Sequence, residues 1–278
     1  MERFDCHIHT TYSFDGKATI EEQCKKAISL GFSGITIADH NLPAHKDFPL
    51  HENIRASVKK ANEMKERYQG KLRVFAGVEL GDPLTEETYP YQEIYEIDGI
   101  DCVLGSIHST PLCHKYFPDN PYGDNLMDIA KKGDLAFIKE IIRAYYKEYL
   151  ILCENADVDI VTHLTFPFRY TNGALGYQLD VSDYDKGIEK ILKAIIKTGK
   201  TLEVNTSGFP LGWQEFMPNE RILKRYYDFG GRNVSLGSDA HKTDTLGVAF
   251  EKAGAMLKNI GFTHGSYYEN RQRKTYLL

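Results

Sequence analysis

Short apolar, β-branched runs alternate with longer amphipathic stretches along the whole chain. The runs lie near residues 2–8, 34–39, 72–79, 101–107, 158–163, 201–206 and 233–238. Each is short, rich in β-branched residues and bounded by polar positions, so each predicts a buried strand. The stretches between them carry apolar residues at helical spacing. Ile20 to Leu30 follows Thr19, has Glu22 at the third helical position and meets Gly31. That is a capping box at one end and a glycine stop at the other. Residues 52–69 predict a helix ending at Gly70, and residues 134–153 another. Residues 182–198 predict a fourth, with Ser182 as N-cap and Gly199 as stop, and further helices are expected near 218–229 and 245–259. Strands separated by helices make βα units and a parallel sheet, and about seven such units favour a barrel over an open sheet. Without a repeat, linker or low-complexity tract, residues 1–278 are expected to form one α/β, TIM-like barrel domain. The long irregular stretches 81–98, 109–127 and 207–216 all follow strands. They would lie on the C-terminal face, where barrels build their sites.

Bulk properties narrow the partners. Net charge is −5, so no general basic surface recommends nucleic acid or an anionic membrane. No apolar run approaches a membrane span, and the N-terminus enters a strand without a signal-peptide pattern. The five cysteines (Cys6, Cys24, Cys102, Cys113, Cys153) are scattered and lack a CxxC pair. That suits reduced thiols and a cytoplasmic location better than disulfides or a thiolate zinc site. Nothing in the pattern specifies an oligomer.

The chemistry sits where the strands end. Positions i and i+2 of a strand point to one face, so His7 and His9 converge, with Cys6 between them facing the other way. Asp15 follows in the next loop. The second run ends in His40, on the face of Thr36 and Ala38, with Asp39 opposite. The third ends in Glu79, the fourth in His108, the fifth in His163, and the seventh runs into Asp239 and His241. The sixth, Leu202-Glu203-Val204-Asn205, offers only the neutral amide of Asn205. A lone histidine at a strand end is usually a core or loop residue, and His45, His51, His114 and His264 are read that way. The other set is different, because burying so many ionisable groups together without a cation would cost several kcal/mol per charge. Imidazole and carboxylate without thiolate indicate two or three divalent ions of zinc, manganese or iron. Such a cluster generates hydroxide near neutral pH and clamps phosphate oxygens, which makes phosphoester hydrolysis its natural chemistry.

These residues resemble the polymerase and histidinol phosphatase (PHP) superfamily. Asp5-Cys6-His7-Ile8-His9-Thr10, Ala38-Asp39-His40, Gly77-Val78-Glu79, Gly105-Ser106-Ile107-His108, Thr162-His163-Leu164 and Gly237-Ser238-Asp239-Ala240-His241 match its motifs in order. Asn205-Thr206-Ser207-Gly208, Met217-Pro218, Gly230-Gly231 and the basic stretch Asn270–Lys274 resemble its monofunctional histidinol-phosphate phosphatases. The resemblance implies a distorted (β/α)7 barrel with a trinuclear site at the C-terminal strand ends. It implies one ion on His7, His9, Glu79 and Asp239, and a second sharing Glu79 with His108 and His163. Asp15, His40 and His241 would take a third. Those phosphatases usually carry an Arg soon after Asn-Thr-Ser-Gly that helps bind phosphate. Here Phe209-Pro210 follows instead, while Arg169 persists after the fifth strand.

The expected reaction is hydrolysis of a small-molecule phosphoester, most naturally L-histidinol phosphate, by a hydroxide bridging the ions that share Glu79. Asp15, His241 or a metal-bound water would supply the leaving-group proton. Arg169 is the expected phosphate clamp, and Asn205 either orients a water or ligand or caps its strand. Asp82, Tyr91, Trp213 and Glu215 are loop candidates for the histidinol moiety. The alternatives are a phosphodiesterase, nucleotide phosphatase or exonuclease on the same barrel, an amidohydrolase, and a non-catalytic metal-binding scaffold. A scaffold should have gaps in its ligand set, and the nine positions have none.

Overall fold

Seven strands pair in chain order into one parallel sheet. They are β1 (Phe4–Ile8), β2 (Gly34–Asn41), β3 (Arg73–Gly81), β4 (Cys102–Ser106), β5 (Ile160–Val161), β6 (Thr201–Asn205) and β7 (Val234–Gly237). This computed structural model describes residues 2–42, 50–84, 91–116, 134–210 and 212–278. Parallel neighbours need crossovers: between β3 and β4 the described residues hold a 3-10 turn at Tyr91–Glu96, and elsewhere the chain supplies helices. These are α1 (Ile20–Ser29), α2 (Leu50–Arg67), α3 (Pro111–Tyr116), α4 (Leu135–Asn155), α5 (Asp185–Thr198), α6 (Glu220–Asp228) and α7 (Phe250–Ile260). Strands covered on both faces read as continuous apolar runs, and β1, β2, β4, β6 and β7 are buried along their whole lengths.

The sheet curls into a nearly closed α/β barrel. Its ends meet where the His9 amide donates to the Ala240 carbonyl (3.0 Å) and the Asp239 amide to the His7 carbonyl (2.8 Å). Below that seam, buried Asp5 accepts from the Ser238 amide (2.9 Å) and from the Ser238 hydroxyl. Among the described residues no helix is long and apolar enough to cross a membrane.

Helix ends follow the expected caps in most places. Thr19 and Glu22 form the capping box of α1, and α5 stops at Gly199 with φ 74°. The start of α5 differs from expectation. Ser182 is not its N-cap: Val181–Tyr184 is a separate 3-10 turn capped by Asp180, whose side chain accepts from the Ser182 amide. The aspartate two residues ahead supplies a better acceptor, so the serine falls inside the turn. α7 begins at Phe250, five residues later than expected, after a 3-10 turn at Thr243–Thr245. Only Ile160–Val161 of the fifth run pair as strand.

One element was not anticipated. β8 (His264–Glu269) and β9 (Gln272–Leu277) form an antiparallel hairpin over the stretch read as a basic tail. Its turn, Asn270-Arg271, has φ of 50° and 60°, as a two-residue hairpin turn requires. The hairpin lies across the N-terminal mouth of the barrel. Tyr267 stacks on Phe4 (4.2 Å) and accepts from Arg73 (3.1 Å), while Asn270 donates to Asp101 (2.9 Å). Arg271 donates to Asp159 (2.5 Å), and the Tyr268 and Thr201 hydroxyls pair at 2.8 Å. Cys6 packs against this hairpin, with its thiol donating to the Ser266 carbonyl at 3.5 Å. The opposite mouth is left for chemistry.

Candidate metal centre

β1 ends with His7 and His9 turned into the barrel, both fully buried. Their Nε2 atoms lie 3.0 Å apart. The β2–β3 register sets His40 directly beside Glu79. Glu79 is the hub. Its Oε2 lies 3.4 Å from His7 Nε2, 3.5 Å from His9 Nε2 and 2.7 Å from His40 Nδ1. Its Oε1 lies 3.0 Å from His163 Nε2 and 3.6 Å from His108 Nε2. Asp239 Oδ1 approaches His9 Nε2 at 3.3 Å and His7 Nε2 at 4.0 Å. Asp15 Oδ2 lies 3.0 Å from His241 Nε2 and 3.7 Å from His40 Nε2. The nine expected residues therefore gather at the C-terminal strand ends.

The donor set fits divalent ions. Four ligands held tetrahedrally at about 2.0–2.1 Å stand about 3.3 Å apart, close to the spacing of His7, His9, Glu79 and Asp239. Buried His163 Nδ1 and Asp15 Oδ1 have no hydrogen-bond partner among the described residues. Among the described residues, three groupings bring donor atoms within 4.8 Å of one another: His7, His9 and Glu79; His40, Glu79 and His108; His9, His40 and His241. Divalent cations are the natural occupants of such a cluster, and a packed core has no other use for it.

Electrostatics tell the same story. Burial would raise the Glu79 carboxyl, but the imidazoles of His7, His40 and His108 and the bond from His163 hold it well below the usual range. Burial lowers His9 far below an ordinary histidine, and the neighbouring His40 and His241 push it the same way. Burial likewise drives His108 down to about 3. His40 goes the other way: burial opposes its charge, yet Glu79 and Asp15 raise it to about 10.

Backbone strain accompanies two of the gathered donors. His163 has φ of 25° and Asp239 φ of 54°, both left-handed and both non-glycine. Such conformations cost of order 1–3 kcal/mol and persist where surrounding structure enforces them. Asp239 is held by Arg169, whose Nη1 donates to Asp239 Oδ2 (2.9 Å) and Ser207 Oγ (2.7 Å). Arg169 starts an irregular helical turn at Arg169–Ala174 and lies over the rings of Phe166 (4.6 Å) and Tyr170 (5.0 Å). Asn205 donates from Nδ2 to Glu203 (3.1 Å) and accepts from the Ser207 amide (2.9 Å) and hydroxyl (2.6 Å). Outward Asp39 accepts from the Thr10 amide (2.6 Å) and the hydroxyls of Thr10, Ser13 and Ser57, bracing the loop between His9 and Asp15.

The loop candidates scatter. Asp82 is buried and accepts from the His108 amide (2.8 Å), with its other oxygen unpartnered among the described residues. Trp213 stacks toward Phe168 (6.2 Å), next to Arg169, and Glu215 is exposed. Tyr91 lies in a turn that has already returned to the N-terminal end. It faces Tyr95 (6.4 Å), whose hydroxyl donates to Asp157 at the entry to β5. Residues 85–90, 117–133 and Leu211 of those loops, and His45, lie outside the described residues. His264 is exposed on β8, away from the cluster.

Sequence reasoning passed over Glu203. It is fully buried, and its Oε1 lies 2.7 Å from His7 Nδ1. A carboxylate in the middle of an apolar strand, two residues before an inward amide, was the available signal.

Comparison with known proteins gives consistent results. The PHP domain family model matches residues 5–207. A Thermotoga maritima protein named probable histidinol-phosphatase is 30% identical over 94% of this chain and 93% of its own. A Clostridium acetobutylicum protein of the same name is 31% identical over 98% of both. The crystal structure of histidinol phosphate phosphatase from Lactococcus lactis, complexed with zinc, L-histidinol and phosphate, superposes with a TM-score of 0.75. It covers 98% of this chain and 99% of that one at 20% identity.

Proposed function

The chain belongs to the PHP domain family, and from that premise we propose that it is a metal-dependent phosphatase hydrolysing L-histidinol phosphate to L-histidinol and phosphate. The observation that carries the reaction class is the gathering of nine imidazole and carboxylate side chains, with five of the imidazoles at Glu79. The substrate rests on the two relatives that span nearly the whole chain. Residues 1–278 are read as one barrel domain. The five buried, unpaired cysteines suit a reducing, cytoplasmic compartment.

The ligand assignment is the one the family's motifs imply, supported by the short contacts of Glu79 with His7 and His163 and of Asp15 with His241. His7, His9, Glu79 and Asp239 would hold one ion, Glu79 with His108 and His163 a second, and Asp15, His40 and His241 a third. Zinc, manganese and iron all suit this set. Bound divalent ions supply Lewis acidity to the phosphoryl oxygens and make water nucleophilic near neutral pH. The protein's own part is positioning. Arg169 presents a guanidinium beside Asp239, where its fork can pair with an anionic phosphoryl oxygen. The barrel floor keeps His7, His9 and Glu79 dry, which strengthens every charge interaction there. His241 and Asp15 stand at the open rim, with side chains 28% and 39% exposed, where a leaving alkoxide can take up a proton.

The test is a kcat/KM series on protein of measured metal content, over histidinol phosphate, nucleoside monophosphates and a diester. A preference for histidinol phosphate is expected. Preference for a diester would instead assign the Phe209-Pro210 loop to a different phosphoester, and no hydrolysis of any of them by metal-loaded protein would leave a scaffold.

A further inference from the structure

The fold gives Glu203 contacts to both halves of the cluster. It leaves β6 one position before Val204, 0% exposed. Oε1 meets His7 Nδ1 at 2.7 Å, the length of a charge-assisted bond. Oε2 accepts from the His163 amide at 2.7 Å and from Asn205 Nδ2 at 3.1 Å. With Oε1 as acceptor, His7 carries its hydrogen on Nδ1 and keeps a lone pair on Nε2. That Nε2 is the atom facing His9 and Glu79. The other oxygen pins the amide of His163, a residue held at φ 25° whose carbonyl also accepts from Tyr145 (3.3 Å).

The neighbouring strand is shaped around this pair. A Cβ added to Gly237 would lie 2.1 Å from Glu203 Oε1 and 2.7 Å from His7 Cβ. Only glycine leaves room for the carboxylate to reach the imidazole. Asn205 then carries the chain of bonds onward to Ser207, and Ser207 to Asp239 (3.1 Å) and Arg169.

We propose that Glu203 is the positioning residue shared by two ion sites: one oxygen fixes the tautomer and aim of His7, and the other fixes the strained backbone that presents His163. This rests on the reading of His7 and His163 as metal ligands. Outer carboxylates of this kind orient ligating histidines and are worth 10–100-fold in metal affinity or rate.

The experiment uses the full chain as Glu203→Ala, Glu203→Gln and Gly237→Ala. Affinity for Zn²⁺ and Mn²⁺ is read by competition with a chromophoric chelator, and kcat and KM on metal-saturated protein. Glu203→Ala should weaken at least one ion by roughly 10–100-fold and lower kcat by a similar factor, with KM within about twofold. Glu203→Gln should fall between it and the parent. Its amide can still accept from His7, but its NH2 then opposes the His163 N–H. Gly237→Ala should reproduce the affinity loss with Glu203 intact. Where the alanine variant does not fold, Glu203→Gln and Gly237→Ala decide. Parental affinity and kcat in the folded variants would overturn the proposal, as would a fall in melting temperature with metal binding unchanged. The affinity measurements need no substrate, so they stand even if histidinol phosphate proves to be the wrong phosphoester.

Discussion

Glu79 is the residue on which the other donors depend, because five imidazoles approach its two oxygens. Gln is nearly isosteric but neutral, and its NH2 cannot accept or coordinate as an oxygen does. Glu79→Gln should therefore lose at least one ion and more than about 10²-fold in kcat, beyond the usual effect of an outer-layer partner. Elemental analysis and steady-state kinetics check this, and full metal content with full rate would sink the shared-carboxylate scheme. Arg169 is a different case, since it touches one of the gathered donors, Asp239. Arg169→Ala should retain its metals and lose roughly 10²-fold in kcat/KM, the scale of one removed charge-stabilising donor. Arg169→Lys should recover only part, because an ammonium lacks the planar fork. An unchanged kcat/KM in Arg169→Ala would remove that residue from the site. At this scale most of the centre was readable, because period two alone turns His7, His9 and His40 inward. Glu203 is not legible as part of the centre because it stands two residues before the end of its strand. Its carboxylate works one layer deeper, where sequence position alone does not say which neighbour it meets.

The hairpin of β8 and β9 makes a separate argument about elements. Its turn is fastened by Arg271, which bonds Asp159 (2.5 Å) and Asp157 (3.0 Å) at the entry to β5. Arg271 also sits at φ 60°, so nearby contacts must hold a conformation unfavourable for arginine. Removing the side chain leaves Asp159 largely buried without its cation. Arg271→Ala should cost about 1–3 kcal/mol, or roughly 2–10 °C in melting temperature for a chain of this size. The site lies at the opposite mouth, so kcat should stay within about twofold. A fall in kcat with an unmoved melting point would mean that the hairpin serves the chemistry and not the fold. The hairpin was invisible to a search for apolar runs, because His264, Glu269, Gln272, Arg273 and Lys274 interrupt its pattern. Its turn is Asn-Arg where Asn-Gly would have been the recognisable signal. The barrel strands were legible for the opposite reason: burial on both faces forces an unbroken apolar run. Ser182 carries the residue type of a cap but not its place, because Asp180 two residues earlier already caps the turn.

Across the whole molecule, the gathered donors come from residue 7 to residue 241 and from the ends of six of the seven strands. Ions bound there would tie β1 to β5 and β7, closing the same seam that the His9–Ala240 bond closes in the backbone. Unfolding separates all of these donors, so metal binds the folded chain far better than the unfolded one, and binding energy becomes folding energy. At about 100 times Kd the gain is about 2.7 kcal/mol per ion, or roughly 5–10 °C. Protons oppose it. Without metal, His40 is raised to about 10, and His7 is raised too: burial works against its charge, but Glu203 and Glu79 prevail. Both imidazoles must give up a proton before coordinating, so affinity rises with pH across the range below those values. Thermal melts in chelator and in excess Zn²⁺ or Mn²⁺ should therefore differ by more at pH 8 than at pH 6. A melting point unaffected by metal at both pH values would mean that the gathered donors do not bind ions as a unit. A metal increment equal at the two pH values would show that carboxylates alone, without His7 and His40, hold the metal.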